Sequence, residues 1–311
     1  MQDVTVSNVT VHSHMIMEAN MKIIDLLNDN RLHISCELFP PKKWENFEAA
    51  KKVVADTAAL KPDYMSVTYG ATGGTSKYTV DLVDYIQNVQ NIPALGHLTC
   101  VSSDRETVDN VVNAYKAHDI ENILALRGDI PADSGFEPSK DFKHACDLMA
   151  EIKSMGDFCI AGACYPEGHP ESASVDSDLE FTKLKVEAGC DFLITQMFFD
   201  NNILYNYMYK LLKKGIDVPV DAGIMPVTNK SQIARIISLS GNLVPPRFKM
   251  IVDRFGDDPE AMKQAGIAYA TEQIIDLFAN GVNCVHLYTM NHPEIAEAIF
   301  RNLSDIAPRK I

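Results

Sequence analysis

Apolar positions along this chain gather into eight short runs, at residues 33–39, 63–70, 95–100, 122–129, 159–166, 192–199, 218–225 and 284–290. Short apolar runs rich in β-branched residues and bounded by turn formers predict strands. Between them lie amphipathic stretches of helical length. Residues 45–60, 201–214 and 258–280 repeat apolar side chains at helical spacing, and Gly189, Gly215, Gly241 and Gly281 stand where a glycine closes a helix before the next element. Strand, helix, strand repeated along a chain predicts parallel pairing through crossover helices.

Eight such units predict an α/β fold, a single closed (β/α)8 TIM barrel. The interval between the seventh and eighth runs is about twice the others and predicts extra helices there, jointed at Val244-Pro245-Pro246-Arg247 and at Gly256-Asp257-Asp258-Pro259. The competing architecture is a doubly wound open sheet, which commonly marks its first turn with GxGxxG. No candidate strand is followed by that pattern; the glycine-rich run that begins at Gly70-Ala71 has the wrong spacing. The ordered barrel is expected over residues 21–311, with residues 1–20, polar and weakly patterned, as a flexible extension.

Composition narrows the function. With 42 acidic and 28 basic side chains, a formal net charge of −14, the chain lacks the clustered cations that a nucleic-acid surface needs. No apolar run approaches the roughly 20 residues of a membrane-spanning helix. Seven cysteines without a CxxC pair, mostly inside the apolar runs, read as reduced buried thiols of a cytoplasmic protein. No metal is expected, since the histidines lack ligand spacing.

In a (β/α)8 barrel the site is built at the C-terminal ends of the strands. Glu37, Thr68, His97, Asp129, Tyr165 and Gln196 fall there. Glu37, between apolar neighbours and a Pro40-Pro41 pair, is poorly solvated and suits general-acid work; the alternative is a structural carboxylate at the rim. Arg127-Gly128-Asp129 offers charge around a close backbone approach, or an internal ion pair. His97 and His169 read as binding groups. The Gln196 amide can read a heterocycle edge, while Met197, Phe198 and Phe199 read as core.

Together these pieces resemble the methylenetetrahydrofolate reductase family of flavin-dependent barrels. The matching segments, in family order, are Cys36-Glu37-Leu38-Phe39-Pro40-Pro41-Lys42, Ser66-Val67-Thr68-Tyr69-Gly70-Ala71, His97-Leu98-Thr99-Cys100, Leu126-Arg127-Gly128-Asp129, Tyr165-Pro166-Glu167-Gly168-His169-Pro170, Ile194-Thr195-Gln196, Gly223-Ile224-Met225-Pro226 and Leu287-Tyr288-Thr289-Met290-Asn291. The resemblance implies reduction of 5,10-methylenetetrahydrofolate to 5-methyltetrahydrofolate, with NADH or NADPH as electron source and both substrates using one site in a ping-pong cycle. It makes Glu37 the acid that protonates folate N10 before hydride reaches the one-carbon unit. Asp129 would contact the pterin and tune the flavin, and Gln196 would serve the pterin and the nicotinamide in turn. Thr68, Tyr69, Ala71, His97, Arg127, Gly128, Asp129, Ala145, Tyr165, His169, Asp178 and Lys185 would hold the flavin, and Gln232 and His292 would help hold the folate.

Two positions depart from the family pattern. Where many members carry Asn-Leu-Lys-Arg-Lys, this chain has Phe181-Thr182-Lys183-Leu184-Lys185. The change removes an amide and a guanidinium from the cofactor's tail, so FAD is expected with FMN as the alternative. His292 stands where the family has arginine after Asn291. A homo-oligomer is expected, and a flavin-bearing subunit fed by an electron-donating partner protein is the second reading of function.

Overall fold

A computed structural model of the chain describes residues 19–70, 76–130, 137–233, 236 and 243–308. Its strands are β1 (His33–Leu38), β2 (Met65–Val67), β3 (Ala94–Thr99), β4 (Asn122–Leu126), β5 (Cys159–Cys164), β6 (Phe192–Thr195), β7 (Val220–Ile224) and β8 (Cys284–Tyr288). Each pairs in parallel with the next and β8 closes onto β1, with Glu37 beside Tyr288 and Cys36 beside Met65. This is the (β/α)8 barrel that the periodicity predicts, and closure leaves no unpaired sheet edge. The connections are α2 (Phe47–Ala58), α3 (Ser76–Asp84), α4 (Arg105–Ala117), α5 (Ala145–Met155), α6 (Val175–Glu187) and α7 (Asn201–Lys213), after a short α1 (Ile23–Leu26). Between β7 and β8 come α8 (Pro246–Phe255) and α9 (Pro259–Ala279), and α10 (Pro293–Asn302) follows β8.

The two faces of each strand carry different residues because successive side chains point to opposite sides. Ile34, Cys36, Leu38, Val67, Leu98, Ile123 and Val285 pack outward into the layer shared with the helices. Leu95, Leu124, Cys159, Ala161, Phe192 and Ile194 fill the interior, where Ile23 and Leu27 plug the barrel from below. The plug is fastened by side-chain hydrogen bonds: Asn122 Oδ1 accepts from the Ile23 N–H at 2.8 Å, and its Nδ2 donates to the Met21 carbonyl at 3.2 Å. Towards the strand ends the interior turns polar, with Glu37, His97, Thr99 and His286 all buried.

The predicted joints between the extra helices work as helix starts. Pro246 and Pro259 occupy first-turn positions, where the missing N–H costs no helical bond, and Asp258 Oδ1 accepts from the N–H groups of Glu260 and Ala261. Gly189, Gly215 and Gly281 have positive φ of 101°, 75° and 85° after their helices; Gly241 lies outside the described residues. Several apolar runs overshoot their strands, the sixth and the second most. The sixth leaves the ladder after Thr195, because Phe198 and Phe199 are consumed by packing: Phe199 stacks on Phe248 with ring centroids 5.1 Å apart, and its carbonyl accepts from Tyr269 Oη at 2.6 Å. The second shortens to three paired residues, Met65–Val67.

Residues 1–18 of the expected extension lie outside the described residues, and Ala19 is buried. All seven cysteines are free, six of them buried. Among the described residues no helix is long and apolar enough to cross a membrane.

Candidate functional site

The C-terminal strand ends open into a cavity of about 620 Å³. Its walls include Glu37, Thr68, Tyr69, His97, Arg127, Gly128, Asp129, Ala145, Tyr165, His169, Asp178, Lys185 and Gln196, so these thirteen sequence-expected residues share one space. A cavity of this size, apolar with a few convergent polar groups, is the usual form of a cofactor or small-molecule site.

Glu37 sits at the floor. Its neighbours Cys36 and Leu38 are locked into the outer layer, so strand alternation turns the carboxyl inward. Its carbonyl accepts from Thr289 Oγ1 at 2.6 Å, and Asn291 clamps Phe39 by accepting its N–H at 2.8 Å and donating to its carbonyl at 3.1 Å. The Glu37 Oε2 atom lies 3.8 Å from Nε2 of both His97 and His286. Burial drives the His97 pKa down to about 4, with Glu37 opposing and His286 reinforcing the shift, so the ring is neutral near neutral pH. His286 is fixed by hydrogen bonds with Ser35 Oγ at 2.6 Å and Ser66 Oγ at 3.2 Å. Tyr288 borders the same floor and donates to the Thr195 carbonyl at 2.7 Å. Gly223 permits that approach, since a Cβ there would stand 2.3 Å from the Thr195 oxygen and 2.7 Å from the Tyr288 ring.

The Arg127-Gly128-Asp129 triplet closes β4 as a bent rim. Gly128 has φ of 88°, and a Cβ on it would come within 2.8 Å of Val101. The Arg127 guanidinium is gripped by Glu171 through a bidentate pair, 2.6 and 2.8 Å, which raises its own pKa and holds the Glu171 carboxyl below its usual range. The ion pair of this arginine is therefore with Glu171, and Asp129 stands exposed at the cavity. Tyr165 meets the His169 ring edge to face at 4.6 Å, and burial with Asp129 nearby raises the Tyr165 hydroxyl to about 12. His169 is shifted downward by burial and by Arg127. Asp178 is buried on the first turns of α6, and desolvation raises its pKa against the pull of Lys185 and His169. Lys185, two turns on, donates to the Ala163 carbonyl at 2.7 Å.

The cavity does not gather every expected residue. The Gln232 Oε1 accepts from the N–H groups of Thr228 and Asn229. His292 is exposed at the start of α10 with Nδ1 3.1 Å from Glu294 Oε1, and neither residue lines the cavity. Ala71 lies outside the described residues. Conversely, Tyr288, Glu171, His144 and Phe181 line the cavity and His286 borders Glu37, although the sequence reading gave none of them a site role; Tyr288 stood in a family-matching segment and Phe181 at a departure from the family pattern. His286 and Tyr288 were readable from strand alternation, since residues 284, 286 and 288 share the face of the barrel interior. Glu171 sits on a loop and His144 at a helix start, where no period announces direction, and Phe181 sits in the middle of α6.

The residues present fit a large polar heterocyclic ligand. Among the described residues His97 Nε2, Thr99 Oγ1 and Asp178 Oδ2 are buried without a hydrogen-bond partner, and all three residues line the cavity. Such groups are costly unless something satisfies them.

Comparison with known proteins gives a consistent picture. The family model described as methylenetetrahydrofolate reductase matches residues 22–304. A 5,10-methylenetetrahydrofolate reductase of Pectobacterium carotovorum subsp. carotovorum is 34% identical over 292 residues, covering 94% of this chain and 96% of that protein. The 5,10-methylenetetrahydrofolate reductase of Escherichia coli (strain K12) is 34% identical over 273 residues, covering 88% and 91%. The methylenetetrahydrofolate reductase (NADH) 1 of Zea mays is 32% identical over 308 residues; the match takes in 95% of this chain and 52% of the maize protein, so the chain spans about half of that plant relative. Among solved structures, an uncharacterized Clostridium thermocellum protein that binds two copies of 5-methyl-5,6,7,8-tetrahydrofolic acid superposes with a TM-score of 0.63 at 14% identity, covering 92% of this chain and 99% of that one. An oxaloacetate acetylhydrolase superposes at 0.55 and 11% identity. At such identities these two share the fold alone.

Proposed function

Given that the chain belongs to the methylenetetrahydrofolate reductase family, we propose that it reduces 5,10-methylenetetrahydrofolate to 5-methyltetrahydrofolate with electrons from NADH or NADPH, using FAD held in the strand-end cavity. The observation that carries this reading is the convergence of Glu37, Asp129 and Gln196 on one cavity. A proton donor, a charge and an amide are the three functions that the folate half of the reaction asks of the protein.

Bound there, the flavin supplies hydride transfer between the nicotinamide and the one-carbon unit of the folate. Thr68, Tyr69, His97, Arg127, Gly128, Ala145, Tyr165, His169, Asp178 and Lys185, ten residues around one cavity, would hold it. The His97, Thr99 and Asp178 atoms that lack a hydrogen-bond partner would offer it polar contacts. Glu37 delivers the proton to folate N10 as the five-membered ring opens, from a backbone pinned by Thr289 and Asn291 that keeps the carboxyl in one place. His97, neutral at working pH, borders that carboxyl without adding a fixed charge. Gln196 keeps its Oε1 on the Met197 N–H at 3.2 Å, leaving the amide NH₂ to donate to each substrate in turn. Asp129, at the exposed rim of the same cavity, takes the pterin side. The buried free thiols fit a reducing, cytoplasmic setting.

The test is to mix the purified chain with NADH or NADPH under anaerobic conditions and follow flavin absorbance. The expected result is a yellow protein bleached rapidly by one of them and recoloured by 5,10-methylenetetrahydrofolate. A flavin that stays oxidised with both nucleotides and bleaches only with an added protein donor would transfer the electron source to a partner subunit. A folded protein that binds no flavin would end the proposal.

A further inference from the structure

At the outer end of the cavity, away from Glu37, the wall is aromatic. His144 begins α5 and Phe181 lies on α6; their rings stand 5.1 Å apart between centroids at an interplanar angle of 40°, and both line the cavity. Phe181 is 39% exposed, and Leu184, one turn further along α6, is 46% exposed. Two large apolar side chains left in water on one helix, beside a cavity, form a surface that a flat ligand would cover.

The charges nearby are poorly suited to gripping an anionic tail. Among the described residues, Arg127 and Lys185 are the permanent cations of the cavity wall, against the carboxyl groups of Glu37, Asp129, Glu171 and Asp178. Arg127 is already spanned by both oxygens of Glu171. Lys183, on the same helix as Phe181, lies 3.8 Å from Glu187.

We propose that the Phe181 and His144 rings form a stacking shelf for the adenine of a dinucleotide flavin, so that this chain distinguishes FAD from FMN by aromatic contact with the purine. The inference rests on the flavin reading above and adds to it the group that selects the cofactor's tail. Stacking of a base on an aromatic side chain is worth about tenfold or more in affinity. Because the contact with Phe181 is between uncharged rings, the preference it confers is insensitive to salt, unlike a pairing of phosphate with arginine.

The experiment is calorimetric titration of flavin-stripped protein with FAD, FMN and ADP, for the unaltered chain and for Phe181→Ala and Phe181→Trp. The unaltered chain is expected to bind FAD at least about tenfold more tightly than FMN at both low and high salt. Phe181→Ala should weaken FAD and ADP by about tenfold, leave FMN within about twofold, and keep its melting temperature without ligand, since the side chain is exposed; Phe181→Trp should restore FAD binding. Equal weakening of FAD and FMN, unchanged FAD binding in Phe181→Ala, or a preference that disappears with salt would each overturn the shelf while leaving the flavin reading intact. Failure of the unaltered chain to bind either flavin would overturn the flavin reading itself, and the shelf with it.

Discussion

The two ends of the cavity are built on different principles. At the inner end Glu37, His97 and Tyr288 project from paired strands, with backbones held in the ladder and side chains held by neighbours on adjacent strands. At the outer end Phe181 and Lys185 project from α6 and His144 from the start of α5, and the first and last of these are exposed. A proton must be delivered to one atom, and an error of about 1 Å can cost a hundredfold in rate. A cofactor's tail needs only to be held, and many surfaces can hold it. The inner end therefore depends on particular side chains, while the outer end can be walled by a phenylalanine and bordered by a leucine, Phe181 and Leu184.

The sharpest way to break that contrast is at Glu37. Glu37→Gln keeps the size and the position pinned by Thr289 but cannot deliver a proton. Stopped-flow measurement should find the folate half-reaction slowed by roughly a hundred- to ten-thousand-fold, with flavin reduction by the nicotinamide changed by no more than about twofold. Equal slowing of both half-reactions would make Glu37 a structural carboxylate and remove the distinction between the two ends.

The same contrast decides what could be read from the sequence. The barrel was legible because outward residues such as Ile34, Cys36 and Leu38 had to be apolar, and their alternation exposed Glu37 as an inward carboxyl in an apolar run. His286 and Tyr288 follow the same rule on the eighth strand, where alternation turns them inward beside Glu37. Glu171 was beyond that rule. Which way a loop or helix start points depends on tertiary packing, and the grip of Glu171 on Arg127 crosses 44 residues of chain. Gln232 differs from these: its Oε1 accepts from its own turn and the side chain does not line the cavity.

Smaller than the loss at Glu37 is an effect on stability at the same end. His97 has a folded pKa of about 4 against an ordinary 6.5, so between these values the unfolded chain binds more protons and acidification destabilises the fold. At about 1.4 kcal/mol per pH unit this amounts to roughly 3 kcal/mol across the window. Asp221 works the other way: burial raises its carboxyl from 3.8 to about 6, so the folded chain binds the extra proton and gains stability as pH falls. His97→Gln should remove the first contribution and leave the second. Urea unfolding at pH 6.5 and pH 4 should therefore show acid destabilising the unaltered protein more than the variant, by roughly 3 kcal/mol. Parallel losses in the two proteins would mean that His97 is charged or hydrated in its pocket.

The mildest change tests whether the inner end is one site or two. Gln196 lies just past β6, lining the cavity with Glu37 and Asp129, and its Oε1 already accepts from Met197 N–H. Gln196→Glu preserves that acceptor and the length of the side chain but replaces the remaining donor by a negative charge in a wall that already carries carboxyl groups. An uncompensated charge and a lost hydrogen bond of this kind cost on the order of 1.5 kcal/mol, about tenfold in rate. If both substrates use the amide in turn, nicotinamide oxidation and folate reduction should each slow by about that factor in separate single-turnover measurements. A variant impaired in only one of the two would mean that the substrates meet different walls, and the cycle would no longer be a sequence of visits to a single place.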